Sequence, residues 1–254
     1  SERRLWESQG ICISSTKILI MDLFFHNTID IKNPAFVFSD EESRHLSKVL
    51  RKHPGDIVSV TDGKGLEVSI EIQNISSRKS TGIIKETIIH SPPKHKTHIA
   101  IAPTKNIVRL EWFLEKATEV GIHRITPILC HQSERKTTKN ERLNKIIQAA
   151  LKQSQQFYLP KLDEITSFES FVEQQRDGYI AHCNAGDKFD LADLEPSKNI
   201  NCILIGPEGD FSLNEVVFAE KNNFKSISLS NKRLRTETAA LIACHTLALI
   251  HRNL

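Results

Sequence analysis

Ser91-Pro-Pro-Lys-His-Lys96 divides this chain into two stretches with different hydrophobic periods. Consecutive prolines remove backbone donors and fix φ, so neither a helix nor a sheet ladder continues through them. Before the break, apolar residues alternate, most strictly at Val68, Ile70 and Ile72, which is the period of a strand with one buried face. Leu23–His26, Ala35–Phe38, Asp56–Thr61, Glu67–Ile75 and Thr81–Ile89 are predicted strands, the third and fourth turning at Asp62-Gly-Lys-Gly65. Asp40–Arg51 is predicted as one amphipathic helix, with Leu46, Val49 and Leu50 inward and Arg44, Lys48, Arg51 and Lys52 off that face. These elements predict a small β-barrel-like or sandwich-like unit over residues 21–90, with 91–96 as linker.

Beyond the break, strands and helices alternate. Predicted strands cover Thr97–Ala102, Ile125–Leu129, Tyr179–His182, Ile200–Ile205 and Ser226–Leu229. Predicted helices cover Ile107–Val120, Asn140–Gln153, Ser167–Gln175, Leu213–Asn222 and Thr236–His251. Repeated β–α units demand a mainly parallel sheet covered on both faces, so residues 97–254 are expected to form an α/β domain.

Composition narrows the classes further. In 254 residues, 39% hydrophobic content suits a packed core, and no apolar run near the start is long enough to span a bilayer. Glu2 and Glu7 sit where a signal peptide would avoid acid. Met21 is the single methionine, and a start there leaves residues 1–20 as an upstream extension outside the fold. Cys12, Cys130, Cys183, Cys202 and Cys244 are scattered and odd in number, which predicts buried free thiols in a reducing, cytoplasmic compartment. His90, His95 and His98 lie in a basic linker without acidic or thiol partners, so no metal site is expected.

The net charge of +3 conceals an asymmetry. Residues 132–161 carry seven basic and two acidic side chains, whereas 162–200 carry three basic and nine acidic. Residues 78–116 are basic again, eight against three. Charge runs are usually solvated faces, but two basic segments beside the domain junction lead us to expect a polyanion groove, with nucleic acid as its natural partner.

The predicted strand ending at Ile205 runs into Gly206-Pro-Glu-Gly-Asp-Phe-Ser212. The spacing matches neither the dinucleotide-binding fingerprint nor a P-loop, which excludes both classes. Ser212-Leu-Asn-Glu215 is a capping box, with Phe211 and Val216 at the staple positions, so the loop is fixed where it enters the helix. Pro207 and the two glycines make this backbone stiff yet open to a flat aromatic ligand, and a side chain at Gly206 is expected to fill the ligand's place. A second loop, Leu229-Ser-Asn-Lys-Arg-Leu-Arg-Thr-Glu-Thr-Ala239, crowds Lys232, Arg233 and Arg235 before a helix start with Thr236 or Thr238 near its cap. Those cations repel one another unless an anion binds there.

Together the two loops resemble the C-terminal signature of the RsmE family of 16S ribosomal RNA (uracil-N3) methyltransferases, in the SPOUT superfamily. The likeness extends through His45-Leu-Ser-Lys-Val-Leu-Arg51, Gly55-Asp56 and Asp62-Gly63, which match a PUA-like N-terminal domain. Lys105, Glu111, Lys116-Ala-Thr-Glu-Val-Gly121, Pro127, Ser133-Glu-Arg135, Lys152-Gln-Ser154 and Pro160 match the central motifs. Departures fall at Asp210 and Ser230, where the family usually has glycine, and at Gln155 or Gln156, where it often has arginine.

The resemblance implies a trefoil-knotted α/β domain that binds S-adenosylmethionine and works as a homodimer on 16S rRNA in the small subunit. The implied cofactor contacts come from His182 and Cys183, from Ile205, Gly206, Pro207, Glu208 and Gly209, and from Leu229, Ser230, Asn231 and Leu234, with the two leucines sandwiching adenine. Arg235 is the candidate that stabilises a deprotonated uracil. Glu237 accepts the proton, orients Arg235, or serves only as a first-turn carboxylate. Arg44, Lys48 and Arg51 would grip the RNA backbone, with Lys105, Lys116, Arg135, Gln153 and Ser154 extending the track. Two rivals stay open: a sister SPOUT enzyme modifying another base or a ribose 2′-hydroxyl, and a non-enzymatic RNA-binding assembly factor. The apolar face Ala239, Leu241, Ile242, Leu247, Leu249 and Ile250 is the expected dimer contact.

Overall fold

A computed structural model describes residues 22–193 and 202–252. The expected extension over 1–20, the start at Met21, Cys12 and the first two residues of the strand expected from Ile200 lie outside the described residues.

The first sheet is built from β1 (Leu23–Phe25), β2 (Ala35–Val37), β3 (Ile57–Thr61), β4 (Leu66–Asn74) and β5 (Thr81–Ile89), in the order β1-β3-β4-β5-β2. Val68, Ile70 and Ile72 all face its core, together with Phe24, Phe36, Phe38, Leu46, Val58 and Val60. Each such side chain contributes ~1.5–3 kcal/mol by leaving water, so the strict alternation fixes the register. The expected helix is shorter and changes pitch: α1 (Asp40–Arg44) runs into a π-helical turn, His45–Val49. Leu50 N–H donates to the His45 carbonyl over five residues, at 3.0 Å. The wider turn rotates the following residues, so Leu46 is buried but Val49, expected inward, is 68% exposed. Arg51 then takes a left-handed φ of 51° and ends the helix.

The second sheet joins β6 (His98–Ile101), β7 (Arg124–Leu129), β8 (Lys161–Leu162), β10 (Gly178–Ala181), β11 (Phe189–Asp190), β12 (Cys202–Ile205) and β13 (Phe224–Ser228). Its order is β11-β13-β10-β12-β6-β7-β8, with β9 (Thr166–Ser167) added on β7, and every pair is parallel. Helices α2 (Ile107–Val120), α3 (Asn140–Gln153), α4 (Phe168–Gln175), α5 (Leu213–Lys221) and α6 (Thr236–Arg252) connect and cover it. Two apolar clusters, one containing Ile99, Leu114, Ile203 and Leu247 and the other Ile128, Phe168, Leu204 and Phe211, fill the space around this sheet. The fold is thus the mixed α/β class expected, a mainly parallel sheet joined to a small curled sheet. The two-residue strands β8, β9 and β11 escaped prediction because they are too short to show a period.

The two sheets are locked together by the β3–β4 turn. Gly65 N–H donates to the Phe157 carbonyl, and Leu159 N–H to that of Gly63, both at 2.8 Å. At Gly65, with φ of 100°, an added Cβ would collide with the Tyr158 hydroxyl. The His90 ring stacks on Phe157 at 3.7 Å, and Lys152 Nζ pairs with Glu42 Oε1 at 2.9 Å. His90 also meets Glu67, and His98 lies buried against Thr126; no metal-holding cluster occurs among the described residues.

Candidate active site

Neighbouring parallel strands end on the same side of a sheet, so β10, β12 and β13 deliver their loops to one place. Ala181 stands level with Ile205 on one side and Ile227 on the other. The loops beyond these residues enclose a cleft of about 780 Å³, within the range of a nucleoside-sized ligand. It is lined by Ala181, Ile205, Ile227, Leu229, Leu234 and Ala239 among apolar groups, and by Lys188, Lys232, Arg233 and Arg235 among cations.

The floor is held by the expected capping box: Glu215 N–H donates to Ser212 Oγ, and Ser212 N–H to Glu215 Oε2. Phe211 and Val216, the staple pair, are both buried. Asp210 adopts a left-handed φ of 67°, so the glycine usual there in the family answers a backbone requirement that aspartate can also meet. Its Oδ2 accepts the Cys183 N–H at 2.7 Å, and Asn184 Nδ2 donates to the Phe211 carbonyl at 3.1 Å. Lys188 Nζ donates to the carbonyls of His182 and Asn184.

His182, Cys183, Ile205, Gly206, Pro207, Glu208, Leu229, Ser230, Asn231 and Leu234 all line the cleft. Gly209 does not; it lies beside Gln132, whose side chain a Cβ would strike. Gly206 lines the cleft, and a Cβ added to it would also press on the Phe211 ring at 3.1–3.2 Å, so a side chain there disturbs the core beneath the cleft. Cys183 departs from the expected buried thiols: it is exposed on the rim, while Cys130, Cys202 and Cys244 are buried. Burial pushes the Cys244 thiol up to about 12, which leaves it inert. His182 Nε2 meets Ser226 Oγ at 2.9 Å, and Ser226 in turn donates to Glu220 at 2.8 Å. Desolvation, then the charge of Lys188, hold its pKa below the usual imidazole value. Lys188 and Ser226 were missed because each reads as an ordinary residue of a polar stretch.

Arg235 is exposed and lines the cleft, with no ion-pair partner among the described residues. Its carbonyl accepts from Ala239 N–H, so Arg235 occupies the cap of α6, with Thr236 next to it as the first helical residue. Glu237 does not accompany it. This carboxylate is buried away from the cleft lining, with Oε1 3.7 Å from Arg109 Nε and Oε2 without a hydrogen-bond partner among the described residues. Of the roles expected for Glu237, the first-turn carboxylate fits this placement.

The expected RNA residues fall into two groups. Arg44, Lys48 and Arg51 are exposed on the helix of the small sheet. Lys105 instead pairs with Glu134, and Lys116 with Glu115 and Glu119. Arg135 donates to the carbonyls of Thr104 and Lys105, and Ser154 Oγ to that of Ala150. Gln153 is exposed at the end of α3.

An RNA methyltransferase domain model matches residues 91–248, and an RNA methyltransferase PUA domain model matches 38–85. A ribosomal RNA small subunit methyltransferase E from Bacillus subtilis is 27% identical over 226 residues, covering 83% of this chain and 88% of that protein. The crystal structure of a probable rRNA-methyltransferase from Porphyromonas gingivalis superposes with a TM-score of 0.83 and 32% identity, covering 92% of this chain and 99% of that one. A ribosomal RNA small subunit methyltransferase E from Neisseria gonorrhoeae, bound to S-adenosyl methionine, shares the fold at 22% identity and a TM-score of 0.81, covering 90% and 97%. With matched domains at both ends and loops that close one cleft, this chain belongs to the RNA methyltransferase family, in the RsmE group that its sequence resembles.

Proposed function

We propose that the protein methylates N3 of a uridine in 16S rRNA of the small ribosomal subunit, using S-adenosylmethionine, as a cytoplasmic homodimer. The observation that carries this reading is the convergence of three family loops on one cleft with an exposed arginine, Arg235, at its rim. The cleft suits the cofactor: Leu229 and Leu234 offer apolar faces for a purine, and Lys188, Lys232 and Arg233 supply cations for a carboxylate. When bound, the cofactor supplies an electrophilic methyl group.

The chain's own residues then have to present and activate the acceptor. Uracil N3 carries a proton at neutral pH, and Arg235 beside a uracil carbonyl would stabilise the anion that forms when that proton leaves. N3 is occupied in a base pair, so the target enters unpaired or flipped. Residues 21–90 would form the RNA-gripping unit and 97–254 the catalytic one, with Arg44, Lys48 and Arg51 on phosphates. Gln153 adds an exposed polar contact, whereas Lys105, Lys116, Arg135 and Ser154 contribute mainly by shaping the flank. Of the apolar face expected at the dimer contact, Leu247 and Ile250 are buried within their own domain, so the support for a twofold contact comes from Leu249 on α6 with the exposed Val108 and Trp112 on α2.

The test is methyl transfer to unmodified small subunits, read by nucleoside mass spectrometry. A 3-methyluridine product supports the proposal; a 2′-O-methyl or other base product, or none with S-adenosylhomocysteine binding absent, overturns it.

A further inference from the structure

We infer that Asp210 is a positioning residue that clasps the two walls of the cofactor cleft, an inference that rests on the proposed cofactor reading. The wall after β10 has no secondary structure between Ala181 and Phe189, and the glycine turn after β12 is its neighbour. Asp210 bridges them. Its backbone first closes the turn, with Asp210 N–H donating to the Pro207 carbonyl at 2.9 Å. Its carboxylate then divides its work: Oδ1 accepts the Phe211 N–H at 2.8 Å on its own side, and Oδ2 accepts the Cys183 N–H at 2.7 Å across the gap.

The reverse link, Asn184 Nδ2 to the Phe211 carbonyl, lies beside it, and Lys188 ties the carbonyls of His182 and Asn184. Hydrogen bonds to an ionised acceptor are the stronger kind. A loop held in its binding shape also loses less freedom when a ligand arrives. Aspartate therefore does two separable things here: it tolerates the left-handed backbone, and it supplies the acceptor. Glycine does the first only; asparagine tolerates the backbone and keeps one acceptor, so its single carboxamide oxygen can hold the cross-gap Cys183 N–H while the neutral amide gives up the Phe211 N–H.

Three measurements on the full-length protein separate these roles: thermal stability, the Kd for S-adenosylhomocysteine by calorimetry, and the alkylation rate of Cys183 resolved by peptide mass spectrometry. Asp210→Gly is expected to fold, to weaken binding about tenfold, the scale of one charge-assisted hydrogen bond, and to speed Cys183 alkylation severalfold. Asp210→Asn is expected to restore both to within about threefold of the parent. The clasp is overturned if Asp210→Gly leaves Kd and alkylation unchanged, or if Asp210→Asn is as impaired as glycine. An unfolded Asp210→Gly would assign Asp210 to stability instead and also overturn it. If the parent protein itself binds no S-adenosylhomocysteine, the cofactor reading fails, and the alkylation rates alone still judge the clasp.

Discussion

The helix of the small sheet and the flank of the large one both carry cations and use them differently. Lys48 and Arg51 reach solvent with no ion-pair partner among the described residues. On the flank, Lys105, Lys116, Arg142 and Lys145 each face a carboxylate. The extreme case is Asp163, which holds both Arg124 and Lys161. Burial alone would raise its pKa, but hydrogen bonds from Arg124, Thr126 and Lys161 outweigh that and bring it to about 2. A polyanion can draw only on charge that the fold has left available, so the basic count of residues 132–161 overstates what RNA meets there.

The strongest way to break this contrast is at the one cation placed where chemistry is proposed. Arg235→Ala should lower turnover on the order of 10²–10³-fold at saturating RNA, the scale of one lost charge-stabilising donor. Arg235→Lys should recover little, because a point charge does not reproduce the planar fork. Activity of the alanine variant should rise with pH as uracil loses its proton unaided. Steady-state kinetics decide: a raised KM with intact kcat would move Arg235 into the phosphate-binding set.

The engaged end of the comparison can be titrated. His98 is buried beside this network, its Nε2 2.8 Å from Thr126 Oγ1. Desolvation first, then the charge of Arg124, depress its pKa from 6.5 to about 4. A depressed histidine is neutral when folded and takes up a proton on unfolding. Stability is therefore fully present above pH 6.5 and declines as pH falls towards 4. Over that window the loss amounts to ~3 kcal/mol, at ~1.4 kcal/mol per pH unit. Asp163 adds nothing until the pH drops below its unfolded value of 3.8. Urea titrations at pH 7 and pH 4.5 should show the decline, and His98→Gln, which keeps a donor for Thr126, should flatten it.

At the available end, Lys48→Ala should reduce the slope of log affinity against log salt by about one unit, with turnover at saturation preserved. Binding isotherms at several salt concentrations read this directly, and an unchanged slope would remove Lys48 from the RNA face.

What the sequence disclosed follows the same division between local and distant causes. The Pro-Pro break, the alternation at Val68, Ile70 and Ile72, and the β–α rhythm are local, and they yielded both sheets and most element ends. The cleft was legible because its signals, the capping box and the loop of cations, stand next to the strands that place them. The π turn was not, since an amphipathic stripe looks the same until a five-residue hydrogen bond rotates Val49 outward. Nor was the turning away of Glu237 towards Arg109, a partner 128 positions distant. Asp210 is the sharpest instance: the sequence shows only a departure from the family's usual glycine, and the meeting of two loops brings its carboxylate to the Cys183 N–H.

The smallest expected effect belongs to Lys116, and it tests the contrast most severely because family position and formal charge both favour an RNA role. Its Nζ lies 2.8 Å from Glu115 and from Glu119, and those bonds hold its pKa above the usual lysine value. Removing Lys116 leaves two carboxylates facing each other on α2, a like-charge pair worth only a few tenths of a kcal/mol at an exposed site. Lys116→Ala should thus change stability by less than ~0.5 kcal/mol and RNA affinity by less than about twofold, with the salt slope unaltered. The double change of Glu115 and Glu119 to Gln should do the opposite, freeing Lys116 and steepening the slope by up to about one unit. If Lys116→Ala alone flattened the slope as much as Lys48→Ala, intramolecular pairing would not withhold a cation from RNA, and the division between the two faces would fall.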